Sequence, residues 1–228
     1  EKMFSKNNLD RKKGIEIFKK IRSDFEIPYS SMDSEHQVIF SSISQKKESI
    51  NKILEIGTYD GKNAFLLSKL FPQSEITTID LPEEDEKFKN YYDRGDKIKF
   101  SNFIEKRNSF IDQSSNVNFK KINSLNLIFE ENKFDLIWID GAHGFPFATS
   151  DILNSLRLCQ KDGWIICDDI YTSRIKKPDE MYNSNTSIDT LKHLHNAKII
   201  SYDLFLKRIE KIFNYFPSEQ KFIAIIKK

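Results

Sequence analysis

Residues 53–82 read ILEIGTYDGKNAFLLSKLFPQSEITTIDLP. An apolar run over 52–57 closes on glycine, 61–70 has helical spacing and stops before Pro72, and 75–80 is a second apolar run closing on an acid. Strand, turn, helix and strand in that order open a parallel α/β sheet. Gly57 and Gly61 permit a tight turn and a close approach of backbone to ligand. Their spacing, G-x-x-x-G, is neither the dinucleotide fingerprint G-x-G-x-x-G nor a Walker loop, which requires Gly-Lys-Ser/Thr. Asp80 follows the glycine loop by about 20 residues, where a carboxylate at a strand end can accept both hydroxyls of a ribose. The alternative for Asp80 is a helix cap for residues from 83 onward. Loop and acid together point to an adenosine-type cofactor.

The same rhythm continues outward. Residues 117–122, 134–140, 163–168, 198–202 and 221–226 read as further strands, and 147–158 and 187–196 as helices. Two helices are expected within 83–115 and a polar loop over 171–186. The last two strands lack a clear crossover helix, which suits an antiparallel closing strand. The expected fold is α/β, a doubly wound, mostly parallel seven-stranded sheet with that closing strand. Upstream, 9–27 has helical spacing ended by Pro28, and 33–47 reads as a second helix capped by Asp33 or Ser34. A chain of 228 residues fits one domain over 1–228, with the helices of 1–47 as an extension packed on or over the site.

Composition narrows the class. Charged residues make up 31%, and the net charge of +2 gives no support to a nucleic-acid partner. Cys159 and Cys167 are too few for a disulfide framework or a zinc ribbon, and their apolar neighbours suggest buried thiols in a reducing cytoplasm. No apolar run reaches the ~18–20 residues of a membrane span, and residues 1–5 lack a signal-peptide core.

Acids recur at the strand ends. Asp140 ends the fourth strand and Asp168-Asp169 the fifth. Three carboxylates brought together repel unless a cation is present, and hard oxygen donors select Mg²⁺, Mn²⁺ or Ca²⁺. The alternative is that they cap the following turns. His143 stands three residues after Asp140 in Asp-Gly-Ala-His-Gly, where an imidazole can take a proton near neutral pH. A lone histidine can equally be structural; its place on this loop makes His143, with Asp140, the catalytic candidate pair. His36, His193 and His195 receive no role, Trp138 and Trp164 are expected in the core, and Lys176-Lys177 on a solvated loop.

The stretch 53–82, with FDLIWIDGAHGFPFATSDILNSLRLCQKDGWIICDDI over 134–170, resembles the class I S-adenosylmethionine-dependent methyltransferases. It is most similar to the metal-dependent O-methyltransferases of the catechol and caffeoyl-CoA type, and to a bacterial branch that includes sugar O-methyltransferases of macrolide tailoring. The likeness covers roughly 30–228, with 1–29 and 83–115 covered poorly. It implies a cofactor site in which Glu55, Gly57, Thr58, Tyr59, Gly61 and Asn63 line the methionine end. Asp80 and Leu81 would hold the ribose, Asn123 and Ser124 would lie beside the adenine, and Met32 near the sulfonium, with Asp140 bordering the cofactor. It further implies that Asp140, Asp168 and Asp169 hold Mg²⁺ or another hard divalent cation. His143 stands where catechol-type relatives carry a lysine base and the sugar branch a histidine. The implied reaction is methyl transfer to a hydroxyl of a small molecule, a sugar or glycosylated metabolite with vicinal hydroxyls that a metal can chelate. The 171–186 loop is the candidate acceptor lid, and 1–29 and 83–115 stay open between a homodimer interface and a pocket wall. Two rival readings are a metal-independent methyltransferase on nitrogen or a carboxylate, and a catalytically inactive cofactor-binding protein. A third, an NAD-dependent oxidoreductase, is disfavoured by the missing G-x-G-x-x-G.

Overall fold

A computed structural model describes residues 1–30, 32–46, 49–91, 94–208 and 220–228. Seven strands, β1 (Lys52–Ile56), β2 (Glu75–Asp80), β3 (Val117–Lys121), β4 (Phe134–Ile139), β5 (Cys159–Tyr171), β6 (Ser201–Leu206) and β7 (Lys221–Lys227), form one sheet in the order β3-β2-β1-β4-β5-β7-β6. β3, β2, β1, β4 and β5 are mutually parallel, and β7 is antiparallel to both of its neighbours. Strand order reverses between β1 and β4, so the ligand crevice of such a sheet opens at their C-terminal ends.

Alternation along the strands separates two apolar layers. Ile53, Ile76, Trp138, Ile166 and Phe205 face one side, where they meet α1 (Lys2–Lys6), α2 (Arg11–Asp24), α3 (Glu35–Ile43) and α4 (Lys62–Leu70) through Phe4, Phe18, Val38, Phe40 and Leu66. Leu54, Ile56, Ile137, Ile139 and Cys167 face the other, against α7 (Phe147–Leu158) and α8 (Thr186–Asn196). The N-terminal helices thus share a core with the sheet. The expected helices within 83–115 are α5 (Glu86–Asn90) and α6 (Lys97–Asp112).

Some boundaries differ from expectation for local reasons. Lys198 takes a left-handed φ of 58° and its N–H closes the end of α8 on His195 O at 2.9 Å, so β6 begins at Ser201 and not at 198. α1 and a 3-10 turn over Ser124–Phe129 were not expected. Ser34 does flank α3, but its hydroxyl lies 2.6 Å from His36 Nδ1 and does not cap the helix. The helix after Asp80 is capped by Asp85, which accepts from Lys87 N at 2.8 Å, so that alternative for Asp80 falls away. Residue 47 of the expected second helix, and 209–219 between the last two strands, lie outside the described residues. Among the described residues, no helix is long and apolar enough to cross a membrane.

Candidate active site

A cavity of about 340 Å³ opens at the C-terminal ends of β1 and β4. Met32, Glu55, Gly57, Thr58, Tyr59, Asn63, Asp80, Leu81, Asn123, Ser124, Asp140, His143, Asp168 and Asp169 all border it. Gly61 does not. Its φ of 76° begins α4, and a Cβ there would stand 2.9 Å from Arg107 O, so its lack of a side chain serves the packing of α4 on α6.

Gly57 is the residue that shapes the loop. Its φ is 99°, and a Cβ would fall 2.2 Å from Asp140 O, so β1 and the β4 exit can approach only with glycine there. Tyr59 follows with a φ of 49°, a strained value for a side chain of its size. That turn aims the Tyr59 N–H at Asp80 Oδ2, 2.9 Å away, while the Leu81 N–H meets Oδ1 at 2.8 Å. Asp80 is thus fixed by two backbone donors with lone pairs left over. Burial raises its carboxyl above the usual range, against those two hydrogen bonds.

At the other end, Glu55 is fully buried, with Oε1 accepting from Asn63 Nδ2 at 2.7 Å and Oε2 from Thr78 Oγ1 at 2.5 Å. Burial pushes its carboxyl up to about 7, opposed by these two donors. Asn63 Oδ1 and Gln37 Oε1 are buried without a hydrogen-bond partner and belong to residues that border the same cavity. A buried acid and two orphaned acceptor oxygens suit a ligand carrying an ammonium group. With the Asp80 carboxylate and the close backbone approach at Gly57 on the same cavity, the residues present are compatible with S-adenosylmethionine.

The N-terminal segment closes over this end through buried charge. Asp33 accepts from Lys62 Nζ at 2.6 Å and from Arg22 Nη1 at 2.7 Å, with all three side chains buried. This places Met32, His36 and Gln37 on the cavity wall. His36 stacks on Trp138 at 4.9 Å, and burial pulls its pKa down to about 4. The opposite wall comes from α5 and the 171–186 loop. Lys87 Nζ bridges to Glu180 at 2.6 Å, and Tyr91 meets Tyr182 edge-on at 5.5 Å. The His143 and Gly144 N–H groups donate to Met181 O and Glu180 O, at 3.2 and 2.8 Å. A Cβ on Gly144 would stand 2.5 Å from Glu180 Cα, so this glycine is what lets the loop dock. The 83–115 stretch therefore supplies pocket wall through Phe88, Tyr91 and Arg94.

The acids are arranged differently from the expected metal cage. Two residues of β5, Asp168 and Asp169, oppose the single residue Ile223 on β7, a β-bulge in which Asp169 takes a φ of 51°. The bulge cancels the normal alternation and sends both carboxylates to the cavity. There they meet lysines. Lys207 Nζ lies 2.6 Å from Asp168 Oδ2 and 2.5 Å from Asp169 Oδ1, and Lys221 Nζ 3.0 Å from Asp169 Oδ2. His143 Nε2 stands 3.6 Å from Asp169 Oδ2 and 3.7 Å from Asp140 Oδ1. Burial would raise the Asp169 carboxyl, but Lys207, His143 and Lys221 hold it well below its usual range. Asp140 goes the other way, well above it, through burial and the charge of Asp168. Burial also lowers His143, against the pull of Asp169 and Asp168. Among the described residues, no group of three or more His, Cys, Asp or Glu side chains is placed to hold a metal ion. The donor set of Asp140, Asp168 and Asp169 does not fit an open Mg²⁺ site as expected, because an ammonium already stands between two of the three carboxylates. The sequence reading missed Lys207, Lys221, Gln37 and the Arg22–Asp33–Lys62 network.

A family profile described as a methyltransferase domain matches residues 54–170. The chain belongs to this methyltransferase family. Solved structures agree on the fold. Cofactor-bound Rv0187 from MTB is 14% identical, with a TM-score of 0.60 over 94% of this chain and 88% of that one. The O-methyltransferase TomG from Streptomyces achromogenes, solved with SAM, is 13% identical, with a TM-score of 0.58 over 98% and 93%. The N-methyltransferase NodS from Bradyrhizobium japonicum is 14% identical, with a TM-score of 0.56 over 85% and 94%. No curated protein matches the sequence. Since O- and N-methyltransferases both share this fold, the acceptor has to be argued from the site.

Proposed function

We propose that this methyltransferase uses S-adenosylmethionine to methylate a hydroxyl oxygen of a small molecule. The observation that carries the reading is the single cavity joining Asp80, Glu55 and His143. The bound cofactor supplies a methyl group on a positively charged sulfur. Asp80, held by the Tyr59 and Leu81 amides, accepts from the ribose hydroxyls, with Asn123 and Ser124 beside the base. Glu55, Asn63 Oδ1 and Gln37 Oε1 receive the amino group at the other end, where Met32 also borders the cavity.

His143 is the base. It is buried, and burial favours its neutral form, which leaves a lone pair to accept a proton. As the acceptor oxygen is methylated, His143 accepts the hydroxyl proton and passes it to water. Asp169, 3.6 Å from Nε2 and held ionised by Lys207 and Lys221, would stabilise the imidazolium, while Asp140 flanks the ring at 3.7 Å. No step passes through Mg²⁺, and the expectation of vicinal hydroxyls, which rested on chelation, goes with it. A sugar or glycosylated metabolite remains the favoured acceptor class. Tyr91, Tyr182 and Phe147 give the wall apolar faces on which a sugar ring can lie, beside the polar rim of Lys87 and Glu180.

Calorimetry with S-adenosylhomocysteine tests the cofactor half. Binding to the wild-type chain, weakened ~10-fold or more in Asp80→Ala by loss of charged hydrogen bonds, is the expected result. Failure of the wild-type chain to bind, or preference for NADH, overturns the reading. Mass-spectrometric detection of a 14-Da gain across a panel of sugars, glycosides, amines and carboxylates tests the acceptor half.

A further inference from the structure

Lys207 follows the last residue of β6, and the backbone holds it from two sides. Its N–H donates to Lys221 O at 2.9 Å, and its C=O accepts from Glu35 N at 2.8 Å, where α3 begins. Its side chain is buried and borders the cavity. The ammonium gives one hydrogen bond to Asp168 and one to Asp169, at 2.6 and 2.5 Å. Those are the two adjacent carboxylates of the β5 bulge that a divalent cation would have to share.

Lysine and ion exclude each other here. Mg²⁺ needs several oxygens at about 2.0–2.1 Å in near-octahedral array; Asp168 Oδ2 and Asp169 Oδ1 are committed to a nitrogen, and Asp168 Oδ1, buried without a partner, is one oxygen beside a fixed ammonium. A divalent ion beside a buried ammonium also meets strong repulsion at low dielectric. Moving the lysine away would break both of its ion pairs and bury a charge without a partner. Lys221, at 3.0 Å from Asp169 Oδ2, balances the second carboxylate further.

We infer that Lys207 is a built-in cation that takes the place of a divalent metal, so that this methyltransferase works without one. The inference rests on the function proposed above and deepens it. The ammonium bears on the acceptor side of the cavity with a single charge. It activates a hydroxyl less than a divalent ion would, and this leaves the proton to His143.

Mn²⁺ titration followed by electron paramagnetic resonance tests this without an acceptor. The full-length wild-type chain, at roughly millimolar ion, should leave the signal of free Mn²⁺ unchanged, while Lys207→Met, with the carboxylates released, should take up about one ion per chain. Uptake by the wild-type chain that disappears in Asp168→Asn overturns the inference. So does a Lys207→Met chain that is folded, binds S-adenosylhomocysteine and still ignores Mn²⁺. The wild-type measurement decides even if Lys207→Met fails to fold. Calorimetry with S-adenosylhomocysteine on the same sample separates the two claims, since lost cofactor binding sinks the proposed function, whereas Mn²⁺ uptake with cofactor binding intact sinks only the role of Lys207.

Discussion

Lys62 Nζ lies 2.6 Å from Asp33 Oδ1, and this contact fastens the segment before α3 to the first turn of α4 at the wall of the cavity. Arg22 completes the cluster from α2 at 2.7 Å on the other oxygen. Burial alone would raise the Asp33 carboxyl, but Lys62 and then Arg22 hold it down at about 2. Asp33→Ala strands two buried cations, and breaking a buried pair in this way costs about 3–5 kcal/mol. The folded pKa is depressed, so the contribution is present above the ordinary value of 3.8 and is lost as pH falls toward 2. Urea melts at pH 7 and pH 3 should therefore show a smaller gap between wild type and Asp33→Ala at the lower pH. An equal gap at both would show that the charge of Asp33 is not what holds the segment.

If Glu55 receives the amino group as proposed, cofactor binding should be sensitive to pH. Burial pushes its carboxyl to about 7, whereas a cationic ligand favours the ionised form. Binding below pH 7 must then release a proton, and affinity should rise with pH and level off above 7. Calorimetry with S-adenosylhomocysteine at pH 6, in two buffers of different ionisation enthalpy, should show that release. Glu55→Gln should bind roughly tenfold or more weakly and lose the pH dependence. A pH-independent wild type would remove Glu55 from the amino-acid end.

A third carboxyl has no part in the proposed chemistry. Asp151 on α7 is fully buried, and burial pushes its carboxyl to about 7, with a smaller opposing effect from hydrogen bonding to the Ser124 side chain. The folded chain holds this proton more tightly than the unfolded one, so stability is fully present below 3.8 and declines as pH rises toward 7. The loss is on the order of 1 kcal/mol per pH unit in that window. Asp151→Asn keeps the shape without the charge. It should raise the melting temperature at pH 8, by roughly 2–4 °C per kcal/mol recovered, and change little near pH 4. A lower melting temperature at pH 8 would mean that the carboxylate has an ionic partner.

These residues also mark what the sequence could disclose. Gly57, Asp80 and His143 were legible because each sits at a short, fixed offset within one strand–turn unit, where local backbone geometry nearly determines where a side chain points. Lys207 and Lys221 were not, because they meet Asp168 and Asp169 across 39 and 52 residues, through strand order and a bulge. A signal existed nonetheless. Once β6 is started at Ser201, alternation puts Lys207 on the same buried side as Asp203 and Phe205, an unusual place for a lysine. Gln37 was hidden for another reason. All of α3 is buried, so its polar residues look like an exposed face until its packing is seen.

His143 is the last link to be tested, and the acids around it set the form of the test. Its Nε2 faces Asp169 and Asp140, so an imidazolium formed there would be stabilised by Asp169, which Lys207 and Lys221 keep ionised. Burial still lowers the pKa of the free imidazole below 6.5, so the neutral base should predominate at pH 7 and the acid limb of kcat/KM should fall below pH 6.5. With any hydroxyl acceptor that turns over, His143→Ala should lower kcat by ~10²–10⁴ through loss of the base. Affinity for S-adenosylhomocysteine should stay within about twofold, because the change removes a proton acceptor and not a cofactor contact. The Asp169 carboxylate, freed of its histidine, would remain paired with two lysines, so the chain should stay folded. An equal fall in turnover and cofactor affinity would make His143 a structural element of the loop, and the proton would have to leave by another group.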